Sequence, residues 1–109
     1  MTTKKSMTLV ESVVESIKQG YMHVKLSDKN FLKGHLEDDL NCIMFPPMEW
    51  ASVSETEDNL TLKYSDCDIV LRIQWRASVV YNENDKEHEH PVITGWVVDN
   101  IAILEVVKK

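Results

Sequence analysis

Residues 68–81, DIVLRIQWRASVVY, form the stretch that decides the fold of this 109-residue chain. Apolar side chains occupy its odd positions from Ile69 to Tyr81, and polar side chains occupy positions 72, 74, 76 and 78 between them. This two-residue period is typical of a strand with one buried face. Such a strand is about 40 Å long, roughly twice the usual length, so we expect it to bend or to reach past its neighbours.

Residues 8–19 predict an amphipathic helix before this strand. Their apolar side chains recur at steps of three and four residues, at Val10, Val13, Val14 and Ile17. Thr8 and Glu11 have the spacing of a capping box, which predicts that the helix begins there. Gly20 stands where a left-handed C-terminal cap would end it.

The segment between the helix and the two prolines at 46 and 47 is harder to assign. Residues 21–26 alternate and predict a strand, which the turn-forming sequence SDKN then ends. Residues 31–36, FLKGHL, fit either the second strand of a hairpin or a short helix. Gly34 would cost a helix about 1 kcal/mol, so the strand is favoured. The apolar run 40–45 must end at Pro46 and Pro47.

Further strands are predicted on both sides of the long one. Residues 50–57 alternate weakly, Asp58 and Asn59 predict a tight turn, and Leu60, Leu62 and Tyr64 share one face of the next strand. Residues 92–107 predict a last strand, bulged near Gly95 and paired with the long strand. The chain is thus predicted to be a single α+β domain over 1–109, with the N-terminal helix packed on a curved antiparallel meander of five to seven strands.

Charge and cysteine content limit the classes of function. The formal net charge of −6 disfavours non-specific binding to polyanions, although it leaves a local basic patch possible and nucleic acid not excluded. Cys42 and Cys67 are far apart and without CxxC spacing, which favours a reduced, cytoplasmic protein. No apolar run approaches a membrane span, so we expect no membrane association.

The sequence EHEH at 87–90 is a candidate metal site. His88 and His90 would lie on one side of an extended backbone, with carboxylates next to them. A zinc site needs at least one further protein ligand from elsewhere in the chain. The alternative is a solvated hairpin loop whose charges protect a strand edge, and this reading is favoured. No cofactor is expected.

A basic sheet face is the second candidate site. His23, Lys25, Lys63, Arg72 and Arg76 all occupy positions opposite the apolar rows of their predicted strands. If those strands are neighbours, the arginine side chains can bind a phosphate or a carboxylate. The alternative is an ordinary water-facing surface on which the cations pair with nearby glutamates, and this reading is favoured.

Trp50 is the tryptophan most suited to contact a partner. Trp75 belongs to the apolar row and is predicted to lie in the core, whereas Trp50 follows Pro46 and Pro47 and is predicted to be exposed. Large aromatic side chains are common anchors at protein interfaces.

No catalytic or phosphate-binding motif is present in the sequence, which favours a protein without enzymatic activity. The leading hypothesis is a small acidic interaction protein of the inhibitor, immunity or phage accessory type, which binds a macromolecular partner. The first alternative is a binding module for an anionic ligand or a nucleic-acid end through Lys63, Arg72 and Arg76. The second is a metal-dependent activity through the EHEH loop.

The length of the two long strands also predicts a homodimer. A domain of this size cannot cover about 14 residues of strand with neighbours of ordinary length. The last strand has apolar residues at both parities, which predicts that both its faces are buried over part of its length. A two-fold partner would cover them. The alternative is that the long strand bends at Ala77 and Ser78 and closes the sheet over its own core.

Overall fold

Two helices and five strands make up the fold in a computed structural model, which describes residues 3–44, 46–84, 87 and 90–109. The helices are α1 (Thr3–Tyr21) and α2 (Lys29–Met44). The strands are β1 (Lys25–Leu26), β2 (Met48–Ser54), β3 (Glu57–Lys63), β4 (Cys67–Tyr81) and β5 (Pro91–Lys108).

The strands form one open antiparallel sheet with the order β1-β5-β4-β3-β2. Strands β2 to β5 follow one another as a meander, and the two-residue β1 adds to the far side of β5. The helices pack against one face of this sheet, where they share a hydrophobic core with its strands. The predicted α+β class and the helix-on-sheet arrangement are therefore confirmed.

The odd row of β4 forms the centre of the core, as its alternation predicts. Ile69, Leu71, Ile73 and Trp75 are buried, whereas Arg72 and Arg76 are on the opposite face of the strand. Helix α1 contributes Val10, Val14 and Ile17 to this core, which confirms its predicted apolar face. The row stops being buried after Trp75, and Val79 and Tyr81 are exposed.

The prediction of a strand at 31–36 is wrong, because this segment lies within α2. Leu32, Leu36 and Leu40 are fully buried at a spacing of four residues, which is the period of a helix face. Asp28 caps the helix, since its Oδ1 accepts a hydrogen bond from the Asn30 amide at 2.9 Å. The burial of three leucines offsets the penalty of Gly34, which is about 1 kcal/mol.

Both predicted ends of α1 are also wrong. The helix begins at Thr3, so Thr8 and Glu11 lie inside it and do not form its first turn. It continues through Gly20 to Tyr21, which leaves only Lys25–Leu26 of the strand predicted at 21–26. The left-handed residue after the helix is His23, with φ of 63°, and no glycine among the described residues has positive φ.

The turn predicted at Asp58 and Asn59 lies earlier, at residues 55 and 56. Strand β3 has already begun at Glu57, and Asp58 pairs with Ile73 on the core face of the sheet. The predicted face of Leu60, Leu62 and Tyr64 is confirmed, because all three side chains are buried.

Three β-bulges explain why β5 has apolar residues at both odd and even positions. Strand β5 has 18 residues against 15 in β4, and the register shifts three times, each time with the extra residue in β5. After each extra residue, the side chains of β5 that face the core change from odd to even positions or the reverse. Val98, Ile101, Ile103 and Val106 thus all pair with odd residues of β4. One bulge lies next to Gly95, as predicted.

Replacing Gly95 by alanine is expected to lower the free energy of unfolding by about 1–3 kcal/mol, the usual cost of overpacking. A Cβ at this position would lie 2.6 Å from the Leu26 carbonyl oxygen, so β1 would have to move. Urea titration measures the loss.

Gly34→Ala is the matched control, because no atom lies within 4 Å of its added Cβ and the residue is inside a helix. This variant should be more stable than the natural protein by about 0.5–1 kcal/mol. An equal effect of the two substitutions would contradict the close approach of β1 to Gly95.

Candidate functional site

The far end of the β4–β5 hairpin projects beyond the rest of the sheet. We call residues 77–81 of β4 and 91–95 of β5 the arm. Its two strands pair from Ser78–Gly95 to Tyr81–Pro91, and Ala77 pairs with Trp96 at its base. Strand β3 pairs with β4 only as far as the Glu57–Gln74 pair, and β1 pairs with β5 only at Trp96 and Val97. The arm is therefore a two-stranded ribbon for most of its length, and the molecule is elongated, measuring 58 × 24 × 16 Å.

The arm carries exposed apolar side chains on both of its faces. Val79, Tyr81 and Ile93 lie on the face that continues the core side of the sheet, and Val80 and Val92 lie on the opposite face. These five side chains are between 39% and 54% exposed. The arm is therefore the largest continuous set of exposed apolar strand residues among the described residues.

A polar network fixes the base of the arm to α2. Asp58 is only 3% exposed, and its carboxylate accepts a hydrogen bond from the Trp75 indole N–H at 2.9 Å. The Lys33 ammonium group of α2 lies 3.3 Å from the same carboxylate oxygen of Asp58. Lys29 lies 3.8 Å from the ring centre of Trp96 and donates a hydrogen bond to the Glu55 carbonyl. These contacts connect α2 to the strands where the arm begins.

The position of Trp50 differs from the prediction. Its ring is half-buried against the core, its indole N–H donates to the Glu37 carboxylate, and Lys33 lies 4.9 Å from its ring centre. Trp50 therefore joins β2 to α2 instead of presenting an open anchor. Trp75 is in the core, as predicted.

The structure places Lys63, Arg72 and Arg76 on the face of the sheet opposite the helices, together with Lys25. They do not converge on one point. Arg72 and Arg76 are four residues apart on β4, and Lys63 pairs with Asp68, four residues before Arg72. At about 3.3 Å per residue these cations form a line with spacings of about 13 Å.

Acidic groups neutralise two of these cations. The Lys63 ammonium lies 2.7 Å from the Glu49 carboxylate, and the Arg76 guanidinium lies 3.1 Å from Asp99. The hydrogen bond from Lys63, with its charge, lowers the pKa of Glu49, and the same contact raises the pKa of Lys63. Arg72 is half-buried, and its Nε has no hydrogen-bond partner among the described residues.

The EHEH sequence is only partly within the described residues. His88 lies outside them, so the structure gives no geometry for the predicted pair. His90 is exposed at the start of β5 and lines a surface recess of about 350 Å³ with Asn82, Asn84 and Val92. Within residues 3–44, 46–84, 87 and 90–109, no three histidine, cysteine or acidic side chains form a group suited to a metal ion.

An aromatic cluster that the sequence analysis did not identify lies where the two helices meet. Tyr21, Phe31 and His35 contact one another, with ring centres 5.2 to 6.1 Å apart. Phe31 and His35 are exposed one helical turn apart on α2.

This fold and site define a two-layer α+β protein with an open sheet face and a projecting apolar arm. Comparisons with family models, with curated proteins and with solved structures give no match. None of the helices in the described part of the chain is long and apolar enough to cross a membrane.

Proposed function

We propose that this chain is a small acidic interaction protein without catalytic activity, and that it binds a protein partner through the arm. The observation that supports this proposal is the exposure of Val79, Val80, Val92 and Ile93 on the two faces of a two-stranded ribbon. Proteins of this kind include inhibitors, immunity proteins and phage accessory factors.

The stability of the arm is the first physical argument for a partner. A two-stranded hairpin is marginally stable in water unless more strands or a helix support it. Among the described residues, no further strand or helix supports the arm beyond its base, yet half of its ten residues are β-branched and suited to packing on a partly buried surface. A partner that contacts both faces would provide the missing support.

Charge is the second argument and describes the partner. The chain carries a formal charge of −6, and the segment that connects the two strands of the arm, residues 82–90, contains four acidic residues against one lysine. An apolar groove with a basic rim complements an apolar arm with an acidic end. Opposite charges of this kind increase the rate of association, and the increase is lost at high salt.

The basic sheet face supports the alternative function less well. Lys63 and Arg76 already form ion pairs with Glu49 and Asp99, and their spacing does not suit one small anion. The cysteines support the proposed cytoplasmic location, since Cys42 and Cys67 are both free thiols.

A comparison of bait proteins in native lysate tests the arm as the binding element. The arm-face variant Val92→Lys/Ile93→Lys places a charge on each face of β5. The charge-matched control, Val53→Lys/Leu104→Lys, changes two exposed apolar residues outside the arm, one on β2 and one in the distant half of β5. We expect the natural protein and the control to capture the same partner and the arm-face variant to retain less than about a tenth of it, a loss of at least ~1.4 kcal/mol.

Equal capture by the arm-face variant would contradict the proposal, provided that its circular dichroism spectrum matches that of the natural protein. Capture that depends instead on Lys63, Arg72 and Arg76 would favour the basic sheet face.

A further inference from the structure

Along the arm, the outer edge of β4 has no neighbouring strand among the described residues. The last backbone hydrogen bond to this edge is donated by the Trp75 amide to the Thr56 carbonyl at 2.8 Å. Within the described part of the chain, no strand pairs with this side of β4 from residue 76 onward. Because successive amides of a strand alternate in direction, the amides and carbonyls of Ala77 and Val79 point the same way as the Trp75 amide. The open edge at 76–80 is about 17 Å long.

The two edges of the arm differ in their protection against strand addition. On the β5 edge, Pro91 offers no amide, a bulge at Thr94 interrupts the ladder, and the Lys25 side chain lies against Gly95. These features commonly prevent one sheet edge from pairing with another. On the β4 edge, residues 76–80 contain no proline, lysine or bulge. The single charge there, Arg76, forms an ion pair with Asp99 of its own chain.

We propose that the β4 edge of the arm pairs antiparallel with the same edge of a second copy of this chain, about a two-fold axis near residues 78 and 79. The two five-stranded sheets then join into one. This inference rests on the proposed function, because it takes the arm as the binding element. The second copy occupies the edge of the arm and leaves its two faces to the other partner.

Symmetry makes a second copy a suitable neighbour for this edge. In a two-fold antiparallel pair, odd residues lie opposite odd residues, so Ala77 and Val79 meet the same row of the second copy. The apolar rows on both faces therefore continue across the junction. Two ribbons of two strands become one ribbon of four, which exceeds the three strands that a sheet needs for independent stability.

The charges of the two copies also permit this contact. The acidic segment 82–90 connects the two strands of each arm, and antiparallel pairing places the ends of the two arms on opposite sides of the axis. Arg76 brings no unneutralised charge to the junction, since Asp99 is its partner. The contact is thus apolar and uncharged at its centre.

Sedimentation equilibrium of the full chain over a range of concentrations tests the pairing. We expect the natural protein to pass from 12.6 kDa to twice that mass as its concentration rises. The edge variant Val79→Pro loses the backbone N–H that points away from β5 at this position, while the hydrogen bonds between β4 and β5 are kept. Two such amides are lost per dimer, so the dissociation constant should rise at least ~10-fold. A natural protein that stays monomeric throughout, or an edge variant that dimerises equally well, would overturn the proposal.

Cysteine scanning gives a second measurement that needs no proline. A cysteine introduced at 78, 79 or 80, in a Cys42→Ser background that keeps only the buried Cys67, should form a disulfide-linked dimer under mild oxidation much faster than a cysteine at 53 on β2. The fastest position marks the two-fold axis. Equal rates at all four positions would contradict edge pairing.

The two sets of variants separate this inference from the proposed function. The arm-face variant should still dimerise, because its lysines lie on β5 and the β4 edge is unchanged. If the natural protein is monomeric but its capture of the partner depends on the arm faces, only the pairing with a second copy is rejected. If the natural protein is dimeric but substitutions on the arm faces leave partner capture unchanged, only the proposed function is rejected.

Discussion

Replacing Ile73 by alanine is expected to lower the free energy of unfolding by about 2–5 kcal/mol. Ile73 is 0% exposed, and its strand neighbours are Asp58 on β3 and Ile101 on β5. Alanine would remove three carbon atoms from the middle of the core, and the rigid sheet around the site cannot collapse to fill the space. Urea titration followed by tryptophan fluorescence measures the loss.

Arg72→Ala provides the control for this substitution on the same strand. Arg72 is adjacent to Ile73 but lies on the face opposite the helices, and its Nε has no hydrogen-bond partner among the described residues. Its removal leaves no buried group unsatisfied, so we expect a change below about 1 kcal/mol. If the two substitutions cost the same, the odd row of β4 would not be the side of the strand that forms the core.

Alternation within β4 predicted which residues form the centre of the core but not where burial ends. Apolar and polar residues alternate from Ile69 to Tyr81, yet the apolar side chains are buried only as far as Trp75. Coverage depends on the lengths of β3 and of the helices, which are set elsewhere in the chain. The sequence around Val79 therefore gives no sign that the residue is exposed.

In helix α2, local propensity and residue spacing point to different structures. Gly34 and a mixed apolar pattern favoured a strand, whereas Leu32, Leu36 and Leu40 already carried the four-residue period of a buried helix face. This period is visible over the ten residues 31–40 but not within 31–36 alone. Packing of the three leucines on the sheet decides the conformation, since propensity is a weak guide when tertiary contacts oppose it.

The candidate site was predictable only in part. The parity of β4 placed Arg72 and Arg76 on the face away from the core, and the structure agrees. The arm exists because β3 ends at the Glu57–Gln74 pair and β1 at the Leu26–Trp96 pair, and the sequence of β4 and β5 carries no sign of where those neighbours end. Asp58 carries a usable signal, because it lies two and four residues before Leu60 and Leu62 and so shares their face, but the Asp-Asn pair by itself is typical of a turn.

Asp58 is the buried carboxylate on which the base of the arm depends. It accepts the Trp75 indole N–H at 2.9 Å and lies 3.3 Å from the Lys33 ammonium, so it joins β3, β4 and α2. Trp75 is 3% exposed, and its N–H has no route to water if Asp58 is lost. The Lys33 side chain is 22% exposed and can turn towards solvent, which limits the cost on that side.

Asp58→Ala is therefore expected to lower the free energy of unfolding by about 2–3 kcal/mol, most of it from the unsatisfied indole N–H of Trp75. Asp58→Asn retains an acceptor oxygen for that N–H and loses only the charge facing Lys33, so it should cost about 1 kcal/mol. Urea titration ranks the two variants, and the fluorescence of Trp75 reports on its surroundings in each. Equal losses would show that the ion pair with Lys33 dominates. No loss in either variant would contradict the network itself, and the base of the arm would then be held by apolar packing alone.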